Sequence, residues 1–125
     1  MKTKIILLLS IVMLSFACKN SKNTSKNTDT DKYRVIYSFI SIGEGTDSKA
    51  FAILESYLIS FGKKENKTIA YDKYPWGREG EVDYCFYLKE LNKGAQKDFV
   101  NGLNNIAKQS KLIRIYENMA CVHKK

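Results

Sequence analysis

The sequence predicts an α+β fold in which two helices cover one face of a four-stranded antiparallel sheet. Four segments are rich in β-branched and aromatic residues, and two others repeat apolar residues at helical spacing. Along the chain these six segments follow the order βαββαβ. Two such units on one sheet give the ferredoxin-like sandwich, and right-handed crossovers place the third strand between the first and the second.

The first half of the predicted domain holds a strand and a helix. Residues 33–42 are mostly β-branched or aromatic and contain no glycine or proline, which is typical of a central strand. A glycine-containing segment then interrupts the pattern. The helix that follows has Asp47 or Ser48 as its predicted N-cap and Gly62 as its predicted stop. Its apolar stripe consists of Phe51, Leu54, Leu58 and Phe61.

The second half holds the other three strands and the second helix. Residues 68–74 predict a weaker strand that ends at Pro75, residues 81–89 predict the third strand, and residues 111–117 predict the fourth. The second helix is predicted to open at Asn92, with a buried stripe of Phe99, Leu103, Ile106 and Ala107. The third strand alternates Val82, Tyr84, Phe86 and Leu88 on one face with Asp83, Cys85 and Tyr87 on the other.

The N-terminus predicts an export signal. Two lysines, Lys2 and Lys4, precede an apolar run that reaches only Ala17, and a helix that crosses a bilayer needs about 20 apolar residues. The run ends in Ser15-Phe16-Ala17-Cys18, which resembles the lipobox of bacterial lipoproteins, although Ser15 stands where Leu is commonest. With Lys-Asn after the cysteine, it is similar to lipoproteins of Bacteroidota. The resemblance implies that residues 1–17 are removed and that Cys18 carries the lipid.

Residues 18–31 predict a flexible polar tether, since this stretch has no large apolar residue to bury. Residues 32–122 then form the predicted domain. In Bacteroidota lipoproteins an acidic cluster after the cysteine accompanies display on the cell surface, whereas here the residues are basic. We therefore expect an outer-membrane protein that faces the periplasm and meets the membrane through its N-terminal lipid.

The positive charge gives little support to nucleic-acid binding. The whole chain has a formal net charge of +8, but from Asp31 onward there are only 16 basic residues against 12 acidic ones. The basic residues are also spread singly, without the dense patch that nucleic acid requires. We expect no nucleic acid as a partner, and an envelope protein as the partner of the domain.

The predicted topology brings the loop after the first strand beside the hairpin between the second and third strands. This hairpin contains the only tryptophan, Trp76, next to an arginine, and this composition is typical of protein interfaces. The alternative is that Trp76 packs back over the end of the core. The candidate partner-binding residues at this edge are Trp76, Arg78, Glu79, Glu44 and Asp47.

Other chemistry at the same edge has weaker support. The stretch Gly43-Glu44-Gly45 lacks the Gly-Lys-Ser/Thr ending of a phosphate loop, so a tight turn before an N-cap explains it better. Carboxylates could bind calcium, but their spacing matches no known calcium loop. No cofactor is predicted. The carboxylates in question are Glu44, Asp47, Glu79 and Glu81.

Cys85 and Cys121 are the remaining cysteines, and their pairing is left open. The first strand separates the third from the fourth, so mid-strand Cα atoms would lie about 10 Å apart, beyond the reach of about 7 Å of a disulfide. A bridge requires Cys121 to cross to the open face of the sheet. His123, close to the C-terminus, is predicted to be solvated and not catalytic, and with the two cysteines it gives too few ligands for zinc.

These observations predict a noncatalytic binding or assembly module in the cell envelope. Its partner would meet either the Trp76 hairpin or the sheet face without helices. The alternative is a small envelope enzyme or enzyme inhibitor that uses acidic loop residues at the edge formed by Glu44 and Glu79. The candidates for the open face are Tyr37 or Ser38, Cys85, Tyr87 and Arg114.

Overall fold

The computed structural model describes residues 31–124, so the predicted signal and nearly all of the predicted tether lie outside the described residues. The six elements follow the predicted order βαββαβ. They are β1 (Lys32–Phe39), α1 (Ser48–Glu65), β2 (Asp72–Pro75), β3 (Val82–Phe86), α2 (Lys93–Ala107) and β4 (Ile113–Ala120).

The strands form one antiparallel sheet in the order β2-β3-β1-β4, which confirms the ferredoxin-like sandwich. Val35 of β1 stands opposite Phe86 of β3 on one side and Glu117 of β4 on the other. Asp72 of β2 stands opposite Cys85 of β3. As predicted, β1 lies inside the sheet and separates β3 from β4.

The main core lies between the sheet and the two helices. Side chains of β3 alternate as predicted, with Val82, Tyr84 and Phe86 in this core and Cys85 in a second cluster on the opposite, open face. The helices contribute apolar stripes that include most of the predicted positions. The largest fully buried members of the helix-side core are Tyr37, Phe39, Leu54, Tyr84, Phe86, Leu88, Phe99 and Leu103.

Helix α1 begins at the predicted cap but ends later than predicted. Asp47 accepts a hydrogen bond from the Ala50 amide at 2.9 Å, and this bond lowers the pKa of the Asp47 carboxyl. The prediction that Gly62 ends α1 is wrong, because the helix continues to Glu65 and ends at Asn66 with φ 52°. A Cβ at Gly62 would lie 2.7 Å from the Lys67 carbonyl oxygen, so this glycine permits a close backbone approach instead.

The second strand is shorter than predicted. β3 ends at Phe86, shortly before Leu88, which adopts a left-handed conformation with φ 59°. Because β2 is an edge strand whose pairing with β3 begins at Asp72, opposite Cys85, residues 68–71 are not part of the sheet. At the other edge, β4 pairs with β1 as far as Ala120, three residues beyond the predicted end.

Replacing Tyr37 by phenylalanine is expected to stabilise the fold. The Tyr37 side chain is fully buried, and its hydroxyl has no hydrogen-bond partner among the described residues. An unpaired buried hydroxyl costs about 1 to 3 kcal/mol, so Tyr37→Phe should raise the free energy of unfolding by about 1 kcal/mol in urea denaturation.

A matched control is Tyr57→Phe. The Tyr57 hydroxyl donates a hydrogen bond to the Phe99 carbonyl oxygen at 2.9 Å, so its removal should lower the free energy of unfolding. If both variants lose stability to the same extent, the Tyr37 hydroxyl has a partner and the prediction fails.

Candidate functional site

The C-terminal tail turns back after β4 and crosses the open face of the sheet. Cys121, directly after β4, forms a disulfide with Cys85 of β3, and their Cα atoms are 6.4 Å apart. Both cysteines are buried. The tail passes over β1 to reach β3, which is the route predicted to be necessary for this bridge. The disulfide therefore fixes the tail on the open face.

A buried carboxylate lies beneath the tail. Asp83 of β3 is only 2% exposed. Its Oδ1 accepts hydrogen bonds from Ser38 Oγ at 2.6 Å and from Trp76 Nε1 at 3.0 Å. Its Oδ2 lies 2.7 Å from Nδ1 of His123. Three groups from distant parts of the chain thus meet at one carboxylate, which satisfies a charge that would otherwise be costly to bury.

Trp76 and His123 form a stacked aromatic pair above this carboxylate. Their ring centroids are 3.9 Å apart and their planes differ by 12°. The hairpin places Trp76 through a hydrogen bond from its amide to the Glu81 carbonyl oxygen at 2.9 Å. The prediction of a solvated His123 is wrong, because the disulfide two residues earlier holds the ring against Asp83 and Trp76. We call Trp76, Val122 and His123 the tail platform.

The tail platform is partly open to solvent. The His123 side chain is 33% exposed, and Val122 is 63% exposed. Trp76 folds back onto the domain, which was one of the two alternatives predicted from the sequence. It packs on the open sheet face, however, and not over the helix-side core. The tail platform is therefore an aromatic and apolar surface whose two rings are held in place by their contacts with Asp83.

A second cluster on the open face lies closer to the start of β1. The Tyr33 hydroxyl donates to Asp72 Oδ2 at 2.7 Å, and its ring stacks on Tyr87 at 4.0 Å. Burial raises the pKa of the Tyr33 hydroxyl far above its ordinary value. Of the two alternatives for β1, Ser38 lies on the open face and Tyr37 in the helix-side core.

The loop after β1 does lie beside the hairpin, as the topology predicted. Glu79 accepts hydrogen bonds from Ser41 Oγ and from the Gly45 amide. Glu81 accepts a hydrogen bond from the Glu79 amide at 2.8 Å, and this bond lowers the pKa of the Glu81 carboxyl. Glu79 therefore links the two loops, and Glu81 stabilises the hairpin itself.

The five candidate partner-binding residues have different surroundings in the structure. Asp47 caps α1, Glu79 joins the two loops, and Trp76 belongs to the tail platform. Glu44 and Arg78 are exposed on their loops. Within residues 31–124, no three side chains of the types that usually bind metals come together in a way that could hold an ion.

The pairing of Asp83 with His123 was not predicted from the sequence. One available signal was an acidic residue in the middle of an otherwise apolar strand, since such a residue needs a partner if its face is covered. The pair resembles the start of a proton relay, but the Ser38 hydroxyl bonds to the carboxylate and not to the imidazole. A serine activated by this histidine is therefore not assembled here.

No helix in the part of the chain that the structure describes is long and apolar enough to cross a bilayer. The remaining candidates for the open face are Tyr87, which stacks on Tyr33, and Arg114, whose guanidinium donates to the Lys111 and Ile113 carbonyl oxygens.

Comparison with protein-family models, with curated proteins and with solved structures finds no match.

Proposed function

We propose that the chain is a lipid-anchored, noncatalytic binding module of the bacterial cell envelope, which meets a protein partner through the tail platform. The observation that carries this proposal is the stacked Trp76 and His123 pair, held in place by Asp83 and by the Cys85–Cys121 disulfide. Tryptophan is enriched among the residues that dominate protein interfaces.

The rigidity of the tail platform supports binding. Association costs less free energy when the contact side chains are already ordered in the free protein. Here the disulfide holds the tail, the indole N–H donates to Asp83, and the imidazole stacks on the indole. Val122, which precedes His123 in the chain, is exposed and contributes accessible apolar area to the tail. A partner would therefore meet a surface that needs little rearrangement.

The lipid anchor and the envelope location rest on the N-terminal sequence. Cys18 follows a run typical of a lipoprotein signal, and the residues after it are basic, which favours the periplasmic side of the outer membrane. The disulfide supports export, because such bonds persist in oxidising compartments outside the cytoplasm.

The alternative, an enzyme or inhibitor that uses the Glu44 and Glu79 edge, has less support. A carboxyl that acts as a general acid needs a raised pKa. The backbone amides that bond to Asp47 and Glu81 lower the pKa of these two carboxyls. Glu79 is engaged by Ser41 and Gly45, which favours a structural role for this edge.

One experiment tests both halves of the proposal in cells that express the full chain and receive an alkyne analogue of palmitate. A photoreactive benzoylphenylalanine is placed at Val122, on the tail platform, or at Ser56, which is exposed on α1. We expect a palmitate-labelled adduct of one defined mass from position 122 and not from position 56. Trp76→Ala should reduce this adduct by about tenfold or more, the usual effect of losing a dominant interface residue.

Cys18→Ser should abolish the palmitate label and release the chain from the membrane. A Cys18→Ser chain that keeps the label would contradict the anchor. An adduct at position 122 that Trp76→Ala does not change would contradict the tail platform. Because the indole also bonds to Asp83, the thermal midpoint of Trp76→Ala is measured in parallel, and only temperatures at which the variant is folded are compared.

A further inference from the structure

The two ends of the domain carry different charge. Residues 62–68 and 88–93, at the end where β1 begins, contain five lysines and two glutamates. We call this the tether-side end. Residues 41–47, 76–81 and 108–112, at the opposite end, contain three basic and four acidic residues. The modest positive charge of the domain is therefore concentrated at one end.

An open groove lies at the tether-side end, between the second half of α1 and the segment that leads into β2. Its volume is about 670 Å³, with Leu58 and Ile69 among its apolar lining residues, and its charged lining residues are Lys63, Lys67 and Glu55, which leave it with a surplus of one positive charge. Two large side chains that line it are unusually exposed, Ile59 at 61% and Tyr71 at 44%.

The Tyr71 ring is supported from below. Its centroid lies 5.1 Å from that of Tyr84 and 5.6 Å from that of Phe86, both of which are buried in the helix-side core. A tyrosine with an apolar base and an accessible ring, next to exposed lysines, is the composition of surfaces that lie at the boundary between lipid and water. The groove therefore joins apolar area to positive charge.

The position of the predicted tether determines what this end would face. Cys18 lies only fourteen residues before Lys32, the first residue of β1. A flexible chain of this length has a root-mean-square span of about 20 Å, which is less than the length of a small domain. An anchor at Cys18 would keep the tether-side end close to the lipid head groups.

We propose that the tether-side end rests on the membrane and that its groove binds an anionic phospholipid, an inference that depends on the proposed lipid anchor. Lys63 and Lys67 attract the phosphate, while Ile59 and Tyr71 contact the glycerol and the upper acyl chains. In this orientation the hairpin end of the domain points away from the bilayer.

The test uses the mature, lipidated chain in vesicles that contain phospholipids with brominated acyl chains, which quench tryptophan fluorescence on contact. Trp76 is the only tryptophan and lies at the far end of the domain, so the native chain is its own control. A Trp76→Phe, Tyr71→Trp variant moves the reporter to the groove. We expect quenching of this variant in phosphatidylglycerol-containing vesicles, weaker quenching in pure phosphatidylcholine, and little quenching of native Trp76 in either.

Reversing the charge of two lysines tests whether the groove, and not the overall charge of the domain, is responsible for the quenching. Lys63→Glu with Lys67→Glu should reduce the quenching in anionic vesicles to the level in phosphatidylcholine, while the chain stays in the vesicle fraction. The matched control, Lys108→Glu with Lys111→Glu, makes the same change of net charge at the far end and should leave the quenching unchanged.

The outcomes distinguish the inference from the proposal on which it rests. A chain that stays with the vesicles without quenching of the Tyr71→Trp reporter overturns the inference and leaves the anchor intact. Equal quenching in neutral and anionic vesicles overturns the recognition of anionic lipid. A chain that is absent from the vesicle fraction overturns the anchor and the inference together.

Discussion

Replacing Cys85 and Cys121 by serine is expected to lower the free energy of unfolding by about 3 to 4 kcal/mol, by the chain-entropy estimate. The bridge joins residues 36 positions apart, and a link of this span removes much of the freedom of the unfolded chain. For a domain of this size, the thermal midpoint should fall by well over 10 °C. Urea denaturation of the double variant against the oxidised native chain measures the effect.

The same double variant should also change the environment of Trp76. Without the bridge, the tail that carries His123 is held only by noncovalent contacts, so the stack on the indole should loosen and the tryptophan emission should shift to longer wavelength. A suitable control is reduction of the native chain, which should reproduce both changes. Unchanged stability after removal of both cysteines would count against the bridge.

Asp83→Ala is expected to lower the free energy of unfolding by about 3 to 5 kcal/mol, the usual cost of removing one member of a buried, hydrogen-bonded charged group. The carboxylate is 2% exposed and is contacted by Ser38, Trp76 and His123. Its loss leaves the buried Ser38 hydroxyl, the indole N–H and the imidazole without the acceptor they share. Thermal and urea denaturation measure the loss.

Two comparisons make the Asp83 prediction specific. Asp98→Ala, at an exposed position of α2, should change stability by no more than about 0.5 kcal/mol. A double-mutant cycle of Asp83→Ala with His123→Ala should give a coupling energy of about 1 kcal/mol or more, since the two groups are in contact. Additive effects would show that the histidine does not depend on the carboxylate.

Local patterns were sufficient to predict the fold. Alternation along β3 and the apolar stripes of the two helices identified the elements, and their order left few topologies to consider. The ends of the elements were harder to predict from the sequence. Gly62 has the usual sequence signal of a helix stop, but it serves a close approach to the Lys67 carbonyl, while Asn66 ends the helix.

The candidate site could be predicted only in part, because it depends on contacts between distant residues. The two open-face cysteines and the hairpin tryptophan were visible in the sequence. Whether the tail takes its route across the open face was left open, since residues 121–124 carry no periodic pattern that would place them there. Once that route is fixed, Asp83 gains its partners and His123 changes from a terminal side chain to a part of the tail platform.

The bridge between Cys85 and Cys121 also encloses α2 and β4 within a closed covalent ring, whereas β1, α1 and β2 lie outside it. A fluctuation that separates β4 from β1 therefore cannot carry Cys121 away from the sheet, because the bridge ties the end of this strand to β3. Fraying of β2, at the opposite margin, meets no such restraint. The two edges of the sheet thus differ, because the β4 edge is restrained by a covalent bond and the β2 edge is not. We expect local opening to be more frequent at the β2 edge.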